Sequence, residues 1–493
     1  MKPNIIIIYA DDLGYGDLSC YGAEDIKTIN IDSLAEDGII FNQAYSTSSV
    51  CTPARYGMLT GVYPFSNNKI RILPGNAQQC LISKEQITLP KMLKTAGYNS
   101  AVIGKWHLGL GDGSIDWNGY IEHTPNDVGF DFSFIFPGTN DRVPSIFVKD
   151  HHVYNLEQDD PITVYYGKAE GCPFINEIDT YKNNPEKLKI RSTHGHSDMI
   201  VNGAGRIGYM KGGKKAIWKD EELTDTFVNQ AKAFIESSGD KPFFLYFAAH
   251  QPHVPRIANK RFVGTTELGP RGDVIAEFDY GVGELVSYLK EKDILENTII
   301  IISSDNGPVF DDGYNDHALE LTGKHKPTGP FRGGKYSKYE GGVRIPFIVS
   351  WKGHLQKSVS PAIISQVDLL ASLAKMLNVD LEEKVDSQNM LDALLGKDSI
   401  GRREVMFENN NKTTMLRQDQ WIFLPRSKSI HSDIPMQRDF GDMPKDQLFN
   451  INFDISQQDN LVDNYPEIAK KMSQRLESLG YLDTKSDLYE SGK

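Results

Sequence analysis

Polar residues suited to metal chemistry follow two short apolar segments of the chain. Asp11-Asp12 follows the first segment, and Asp305-Asn306 follows another one far along the sequence. Adjacent carboxylates together with an amide oxygen are hard ligands for Ca²⁺ or Mg²⁺, and such a cluster is costly unless a cation neutralises it. Taken singly, Asp-Asn-Gly is an ordinary turn sequence. Their shared position after apolar segments nevertheless predicts a metal site.

Cationic and imidazole side chains follow two further apolar segments. Lys105 and His107 follow one of them, and His250 and His253 follow the other. A lone lysine is usually a solvated surface group, and a lone histidine is usually structural. Ligands of open α/β sheets bind beyond the carboxyl ends of the strands, so these positions favour one site shared with the carboxylates.

Cys51 begins a segment that predicts a short helix ending near Gly61. Pro53 suits the first turn of a helix. The unpaired N–H groups at a helix N-terminus favour a bound anion such as sulfate or phosphate. An isolated cysteine is more often a buried, inert thiol, so Cys51 gains its interest from the motif around it.

The apolar segments that carry these residues alternate with amphipathic helical patterns over the first four-fifths of the chain. This alternation predicts an α/β fold with a mainly parallel sheet covered by helices on both faces. The predicted strands are residues 4–9, 100–103, 242–247, 298–302 and 346–350. The predicted helices are residues 88–97, 221–236, 273–290 and 366–377.

The length of 493 residues exceeds what one hydrophobic core usually organises. Between residues 138 and 219 the periodicity fades over a length too great for a simple connection, which predicts a substrate-shaping insertion. Beyond about residue 395, short β-like runs precede a polar helix near residues 467–479. We therefore predict a catalytic domain at 1–395, which includes the 138–219 insertion, and a small α+β domain at 396–493.

Composition excludes several classes of function. The net charge is −13, so the chain has no overall basic footprint for nucleic acid or an anionic membrane. No apolar run approaches the roughly 20 residues of a membrane span. The first residues, Met1-Lys2-Pro3-Asn4, lack the features of a signal peptide. By itself this start predicts a cytoplasmic protein or a mature chain without its leader.

The eleven residues from Cys51 to Gly61, CTPARYGMLTG, resemble the signature of the formylglycine-dependent sulfatases, in which this cysteine is oxidised after translation. The resemblance extends over essentially the whole chain through five more motifs in the family's order, and it implies an alkaline-phosphatase-like fold. These motifs are Asp11-Asp12-Leu-Gly-Tyr-Gly, Gly104-Lys105-Trp-His107-Leu-Gly, His250-Gln-Pro-His253, Asp305-Asn306-Gly and Gly334-Lys335-Tyr-Ser-Lys-Tyr-Glu-Gly-Gly. It is weakest in the insertion and the C-terminal domain.

The resemblance implies a metal centre and a modified nucleophile. One calcium ion, which also touches a sulfate oxygen, would have four ligands. These are Asp11, Asp12, Asp305 and Asn306. Cys51 would become formylglycine, whose hydrated aldehyde presents two hydroxyls. One hydroxyl attacks sulfur, and the other later expels sulfate as the aldehyde re-forms. Arg55 would hold the modified side chain.

The resemblance also implies roles for two lysines and two histidines. Lys105 and Lys335 would neutralise charge on the transferring sulfuryl group. His107 would assist loss of the second hydroxyl proton. His253 would protonate the leaving alcohol or donate a hydrogen bond to it, because the family's histidine precedes one residue and then a proline, as in His253-Val-Pro. His250 would be left to contact substrate.

Two stretches of the insertion resemble bacterial carbohydrate sulfatases that remove 6-O-sulfate from galactose or N-acetylgalactosamine. They contain Asp141-Arg142 and His196. Polar residues on a long loop suit sugar hydroxyls, with Asp141 and His196 as acceptors and Arg142 as a donor, although they could equally stabilise the loop. The resemblance further implies a sulfated saccharide substrate, a formylglycine-generating maturation enzyme, and a periplasmic or secreted location.

Two other functions stay open. A phosphate or phosphonate ester hydrolase of the alkaline phosphatase superfamily would favour threonine or serine as the nucleophile and ligands for a second metal. Cys51 and the one-metal set argue against the phosphatase, but residue types do not separate a phosphonate or diester hydrolase. A non-catalytic binder of sulfated glycans should have lost part of the set, yet none is missing, and only an unmodified Cys51 would leave the protein a binder.

Overall fold

Continuous apolar runs form the central strands because both faces of the sheet are covered. Every residue of the segments Asn4–Ala10, Phe243–Ala248 and Thr298–Ser304 is buried. Ile and Phe dominate these runs, and such side chains pack well on a pleated surface. The computed structural model describes residues 2–73, 79–427 and 439–482 of the chain.

The described residues form both helices and strands. In chain order the strands are β1 (Asn4–Ala10), β2 (Gly38–Phe41), β3 (Ala44–Tyr45), β4 (Asn99–Lys105), β5 (Phe132–Phe136), β6 (Val148–Lys149), β7 (His152–Val153), β8 (Thr163–Tyr165), β9 (Met199–Val201), β10 (Ala204–Arg206), β11 (Tyr209–Lys211), β12 (Phe243–Ala248), β13 (Thr298–Ser304), β14 (Phe347–Ser350), β15 (Ser358–Ser360), β16 (Ile364–Ser365), β17 (Glu404–Glu408), β18 (Thr414–Gln418), β19 (Trp421–Leu424) and β20 (Gln447–Asn450). The helices are α1 (Ile29–Glu36), α2 (Cys51–Thr60), α3 (Leu89–Thr95), α4 (Leu223–Ser238), α5 (Gly269–Glu291), α6 (Glu340–Val343), α7 (Leu369–Leu377), α8 (Leu391–Leu394) and α9 (Pro466–Ser478).

Ten strands form one mixed sheet in the order β15-β2-β14-β13-β1-β12-β4-β5-β6-β7. The five strands from β13 to β5 are mutually parallel, whereas β14, β6 and β7 pair antiparallel with their neighbours. All five predicted strands belong to this sheet, and the predicted α/β fold is confirmed. The run predicted at 346–350 is strand β14, which is antiparallel to its neighbours. The sequence pattern did not predict this direction, because direction depends on the connection between strands and not on the local sequence.

Helices cover both faces of the sheet. Alternate residues of β1 point to opposite faces, so Ile5 and Ile7 pack in one core cluster and Ile6 and Ile8 in the other. Helices α2, α3 and α7 lie on the first face, and α1, α4 and α5 lie on the second. The four predicted helices are present as α3, α4, α5 and α7. Within the described part of the chain, no helix has the length and apolarity to cross a bilayer.

The segment predicted as an insertion contributes to the main sheet as well as to its own substructure. β6 and β7 extend the edge of the ten-stranded sheet, whereas β8 to β11 form two separate two-stranded sheets. The segment from 138 to 219 is therefore not wholly separate from the catalytic sheet.

The C-terminal part of the chain forms its own antiparallel sheet, β17-β18-β19-β20, against which α9 packs. Arg402, just before this sheet, donates two hydrogen bonds of 2.6 Å to the Asp368 carboxylate at the start of α7. This sheet with its helix agrees with the α+β architecture predicted for the smaller domain. The domain boundary at residue 395 stays a prediction.

Candidate active site

The carboxyl ends of four neighbouring parallel strands meet at one edge of the sheet. The order β13-β1-β12-β4 is continuous, and the register pairs Ala10 with Ser304 and Ala248 with Gly104. The side chains that follow these strands therefore converge, as expected for the ligand-binding edge of an α/β sheet.

Four buried side chains converge most closely at this edge. They are Asp11, Asp12, Cys51 and Asp305. One ligand atom of each lies within 4.8 Å of the others. Carboxylates this close, and out of water, repel one another strongly unless cations neutralise them. The donor set suits a hard cation such as Ca²⁺.

Asn306 completes this donor set. Its Nδ2 donates to Asp12 Oδ1 at 2.7 Å and to the Gly307 carbonyl at 2.9 Å. Its Oδ1 is fully buried and has no hydrogen-bond partner among the described residues. An unpaired buried amide oxygen is costly, and a cation would satisfy it. The residues present therefore fit the calcium ion that the family resemblance implies.

Three buried cations surround the carboxylates. Lys105 Nζ lies 2.6 Å from Asp11 Oδ2, and Lys335 Nζ lies 2.8 Å from Asp12 Oδ2. Arg55 donates to Asp305 Oδ2 through Nε at 3.1 Å and Nη2 at 2.8 Å. Burial alone would raise the pKa of Asp11, but the nearby ammonium of Lys105 holds that pKa below its usual value. The Asp11 carboxylate is therefore ionised and available as a ligand.

Helix α2 presents Cys51 to this cluster at its first residue. Val50 before it is extended, and Gly61 at φ +67° ends the helix in the left-handed region that favours glycine. A Cβ on Gly57 would lie 2.5 Å from Thr47 Oγ1, so the glycine allows α2 to pack closely on the preceding segment. Thr52 Oγ1 donates to the His107 carbonyl at 3.0 Å, which joins the helix start to the end of β4.

The Cys51 thiol is buried beside charged side chains. Its Sγ lies 3.6 Å from Asp11 Oδ1. Burial raises the pKa of this thiol well above its usual value, although Lys105 and Lys335 pull in the opposite direction. The unmodified thiol is therefore neutral and a weak nucleophile at neutral pH.

The two ring nitrogens of His107 have different surroundings. Its Nε2 lies 3.1 Å from the Leu73 carbonyl oxygen, which can only accept, so Nε2 carries the hydrogen. Nδ1 then has a lone pair, and it is buried without a partner in the described chain. Burial, together with the charges of Lys105 and Arg142, lowers the His107 pKa well below its usual value. His107 is thus a neutral imidazole with one basic nitrogen.

The two histidines after β12 have different surroundings. His253 Nδ1 lies 2.8 Å from the Val254 carbonyl, and its Nε2 lies 3.9 Å from Asp12 Oδ2. His250 packs against the rings of Phe136 and Phe227. Burial lowers the pKa of His250 to about 3. Of the two, His253 is the one with an imidazole nitrogen beside the carboxylate cluster.

The three residues predicted to contact sugar lie together although 55 positions separate the first from the last. His196 Nε2 lies 2.7 Å from Asp141 Oδ2, and Arg142 Nε lies 3.3 Å from Asp141 Oδ1. Arg142 Nη1 also donates to the Leu73 carbonyl at 2.6 Å, the same oxygen that accepts from His107. The Leu73 carbonyl therefore links His107 to Asp141, Arg142 and His196, which we call the sugar-contact group after their predicted role.

The structure adds residues that the sequence reasoning missed. Tyr246 OH accepts from Arg55 at 3.2 Å, and Asp312 Oδ2 accepts from Lys335 at 2.9 Å. Tyr246 lies inside an apolar run and gives no sequence signal. The acidic pair Asp311-Asp312 follows Asp305 in the same loop, and an acidic pair after a strand end could have marked it.

Glu408 at the end of β17 is a buried carboxyl next to the nucleophile segment. Its backbone N–H donates to the Thr47 carbonyl at 3.1 Å, and its carbonyl accepts from Ser49 N at 2.9 Å. Neither carboxyl oxygen has a hydrogen-bond partner among the described residues. Burial raises the pKa of Glu408 to about 8.

We expect Glu408→Gln to stabilise the protein at pH 8 and to have little effect at pH 5. Glutamate ordinarily titrates near 4.5, so between 4.5 and 8 the folded protein holds a proton that the unfolded chain lacks. Wild-type stability therefore declines through this window by about 1.4 kcal/mol per pH unit from this group, and the neutral amide removes that slope. Denaturant unfolding of both proteins at pH 5 and 8 checks this; a stability difference that does not change with pH would contradict it.

Comparison with known proteins agrees with this geometry. The sulfatase family model matches residues 3–379 of the chain. An N-acetylgalactosamine-6-O-sulfatase of Bacteroides thetaiotaomicron is 44% identical over 481 residues, which cover 97% of this chain and 93% of that protein. Human arylsulfatase A is 30% identical over 417 residues, which cover 82% of this chain and 70% of that protein.

A solved structure gives the same result for the fold. This structure, described in connection with the metabolism of multiple glycosaminoglycans by Bacteroides thetaiotaomicron, superposes with a TM-score of 0.94 at 44% identity. The superposition covers 97% of this chain and 99% of that one. The similarity of fold therefore extends over nearly the whole of both chains.

Proposed function

Since the chain belongs to the sulfatase family and is a sulfuric ester hydrolase of alkaline-phosphatase-like fold, we propose that it removes sulfate from a carbohydrate. The proposed substrate is a 6-O-sulfate on galactose or N-acetylgalactosamine. The reaction would use a formylglycine formed from Cys51 and one calcium ion held by Asp11, Asp12, Asp305 and Asn306.

The position of Cys51 carries this proposal. The side chain lies at a helix N-terminus, among three carboxylates and within the electrostatic reach of Lys105 and Lys335. The neutral thiol is a weak nucleophile there, which favours a modified side chain. Formylglycine would supply a hydrated aldehyde, with one hydroxyl to attack sulfur and another whose deprotonation releases sulfate.

The fixed cations would bind the sulfate group and stabilise the charge that develops on it. Lys105 and Lys335 approach the cluster from β4 and from the segment before α6, and each is almost completely buried. Buried, preorganised cations act strongly on developing negative charge because no solvent has to reorganise. Arg55, one turn after Cys51 in α2, is held by Asp305 and Tyr246 and would orient the nucleophile. A bound calcium ion would add Lewis-acid polarisation of a sulfate oxygen.

Two histidines would move protons in this reaction. His107 Nδ1 has the lone pair and would accept the proton of the second hydroxyl. His253 Nε2 faces Asp12 and would hold a proton for the oxygen of the departing sugar alcohol. The sulfur–oxygen bond to the sugar would break as the first hydroxyl oxygen bonds to sulfur and the sugar oxygen takes the proton from His253. The proton of that first hydroxyl would pass to the Asp11 carboxylate, whose Oδ1 lies 3.6 Å from Cys51 Sγ. The later loss of the second hydroxyl proton to His107 would break the carbon–oxygen bond to sulfate as the aldehyde re-forms.

Two observations support the sugar assignment: a similar protein of known description, and the group formed by Asp141, Arg142 and His196. The 44% identical protein from Bacteroides thetaiotaomicron is described as an N-acetylgalactosamine-6-O-sulfatase. Asp141, Arg142 and His196 form a hydrogen-bonded group joined to the catalytic side chains through the Leu73 carbonyl. We propose that this group binds hydroxyls of the sugar, while His250 stays a predicted contact.

Sulfate release from a panel of esters tests this function. The panel contains galactose 6-sulfate, N-acetylgalactosamine 6-sulfate, 4-nitrophenyl sulfate, a phosphate monoester and a phosphonate monoester. We expect turnover of at least one 6-sulfated sugar and little turnover of the phosphorus esters. Turnover of the phosphorus esters without sulfate release would contradict the proposal, and tight binding of the sugars without any turnover would identify a non-catalytic binder.

We expect His253→Ala to lower kcat/KM for the 6-sulfated sugar by about 10²–10⁴-fold. A sugar alcohol is a poor leaving group and needs the proton, whereas 4-nitrophenolate leaves readily without it. The loss on 4-nitrophenyl sulfate should therefore be small. Steady-state kinetics on both esters, with His253→Gln as a second variant of similar size to the native side chain, check this. Equal losses on both esters would contradict the assignment of His253 as the proton donor.

We also propose the partners and location that the family resemblance implies. A maturation enzyme would convert Cys51, and the protein would act in the periplasm or as a secreted protein. Fractionation of the native source organism, with detection of the mature chain outside the cytoplasm, tests the location.

A further inference from the structure

We infer that Asp312 is a specificity-determining residue whose carboxylate accepts a hydrogen bond from a hydroxyl or amide N–H of the saccharide. This inference rests on the proposed function and extends it to a residue that none of the sequence motifs contains.

Asp312 lies on the leaving-group side of the cluster. Its carboxylate lies within 4.8 Å of ligand atoms of both Asp12 and His253. Its Oδ2 accepts from Lys335 Nζ at 2.9 Å, and the Tyr336 hydroxyl donates to Oδ1 at 2.9 Å. Asp312 therefore adjoins both the lysine proposed to bind the sulfuryl group and the histidine proposed to protonate the departing sugar.

Its exposure distinguishes Asp312 from the other carboxylates. The Asp312 side chain is 12% exposed, against 1% for Asp12 and 2% for Lys335. A carboxylate accepts hydrogen bonds at several lone-pair positions and donates none. Asp312 can thus contact Lys335, Tyr336 and a sugar donor together from the rim of the site.

A buried arginine fixes the loop that carries Asp312. Arg256 donates to the Pro252 carbonyl at 2.9 Å, which belongs to the His253 loop. The same guanidinium donates to the Val309 and Phe310 carbonyls at 2.8 Å each and to Asp316 Oδ2 at 2.7 Å. The loop from 309 to 316 is therefore held at a fixed distance from His253.

The other side of this loop abuts the sugar-contact group. A Cβ on Gly313, which has a φ of +107°, would lie 2.0 Å from His196 Nδ1, so only glycine fits beside that ring. The Tyr314 and His196 rings have centroids 4.6 Å apart. Asp312 thus adjoins His253, and the residue after it adjoins His196, so the loop contacts both histidines.

The alternative role for Asp312 is to position Lys335 alone, and the two roles differ in their substrate dependence. A contact with the sugar matters only for saccharide esters. A role through Lys335 matters for every sulfate ester, because each one presents the same sulfuryl group. Comparison of the 6-sulfated sugar with 4-nitrophenyl sulfate therefore separates them.

We expect Asp312→Asn and Asp312→Ala to lower kcat/KM for the 6-sulfated sugar by about 10- to 100-fold, the usual effect of losing a hydrogen bond to a charged group. The change on 4-nitrophenyl sulfate should stay within about threefold. Tyr336→Phe removes the hydroxyl that orients Asp312 and should give a smaller loss with the same selectivity. Asp311→Asn makes the same charge change at the adjacent position, which contacts Thr193 and the Gly313 N–H, and it should lose much less.

Equal losses on both esters would overturn the inference in favour of a role through Lys335. Unchanged sugar turnover by the Asp312→Ala protein would also overturn the inference, and it would exclude a role through Lys335 as well. A wild-type protein that hydrolyses 4-nitrophenyl sulfate but neither 6-sulfated sugar would instead overturn the proposed substrate, and the inference with it. Unfolding midpoints of all variants identify losses that come from a damaged fold.

Discussion

Replacing Cys51 with alanine is expected to abolish sulfate release, with a fall in kcat of at least about 10⁴-fold. Cys51 stands at the N-terminus of α2 with its Sγ 3.6 Å from Asp11 Oδ1, and it is the residue proposed to provide the attacking oxygen. Without that oxygen the surrounding cations can still bind sulfate. The variant should therefore keep its affinity for the 6-sulfated sugar while losing turnover.

Mass spectrometry of the Cys51 peptide, combined with the sulfate assay, checks this expectation. The active wild-type protein should show the thiol-to-aldehyde change at Cys51. Cys172→Ala is the matched control, because Cys172 is another buried thiol that lies outside the carboxylate cluster. Turnover by protein with unmodified Cys51, or by the alanine variant, would contradict the formylglycine mechanism.

Removing the divalent cation is expected to lower sulfate release by at least about 10³-fold without unfolding the protein. The physical reason is that the ion would polarise a sulfate oxygen and balance part of the carboxylate charge. Lys105 and Lys335 lie 2.6 and 2.8 Å from Asp11 and Asp12. These lysines would still balance much of that charge after chelation, so we expect the fold to persist while the polarisation of the sulfate oxygen is lost.

Chelation followed by addition of Ca²⁺ or Mg²⁺ measures this effect and identifies the ion. Calorimetric titration with Ca²⁺ gives a second readout that does not need activity. Asn306→Ala removes the unpaired Oδ1 and should weaken Ca²⁺ binding, whereas Asn450→Ala, at a buried asparagine of the C-terminal sheet, should not. Full activity after chelation, or an Asn306→Ala protein with unchanged affinity, would contradict a metal at this position.

Strand ends were the most informative part of the sequence for the site. Asp11, Asp305, Lys105 and His253 each follow an apolar run, and parallel strands bring their carboxyl ends to one edge. The sequence motif also identified Cys51, and the predicted helix bounds agree with α2, which begins at Cys51 and ends just before Gly61. The roles proposed for these residues stay predictions until the variants are measured.

Long-range pairings were beyond sequence reasoning. His196 and Asp141 make a 2.7 Å contact only because the loops of the insertion fold back on one another. The acidic pair Asp311-Asp312 marks this loop in the sequence, but the contact of Asp312 with Lys335 depends on the fold of the loop after β13. The addition of β6 and β7 to the main sheet and the antiparallel direction of β14 likewise depend on connections rather than on local pattern.

The sequence by itself determined the α/β class, the main strands and helices, and the residue types grouped at the strand ends. Those features depend on hydrophobic periodicity and on motifs, which are local properties of the chain. Only the tertiary structure decided which loops meet, which imidazole nitrogen of His107 carries the hydrogen, and which carboxylate lies beside both Lys335 and His253. Such contacts join residues far apart in sequence, and their geometry is fixed by the packing of the whole domain.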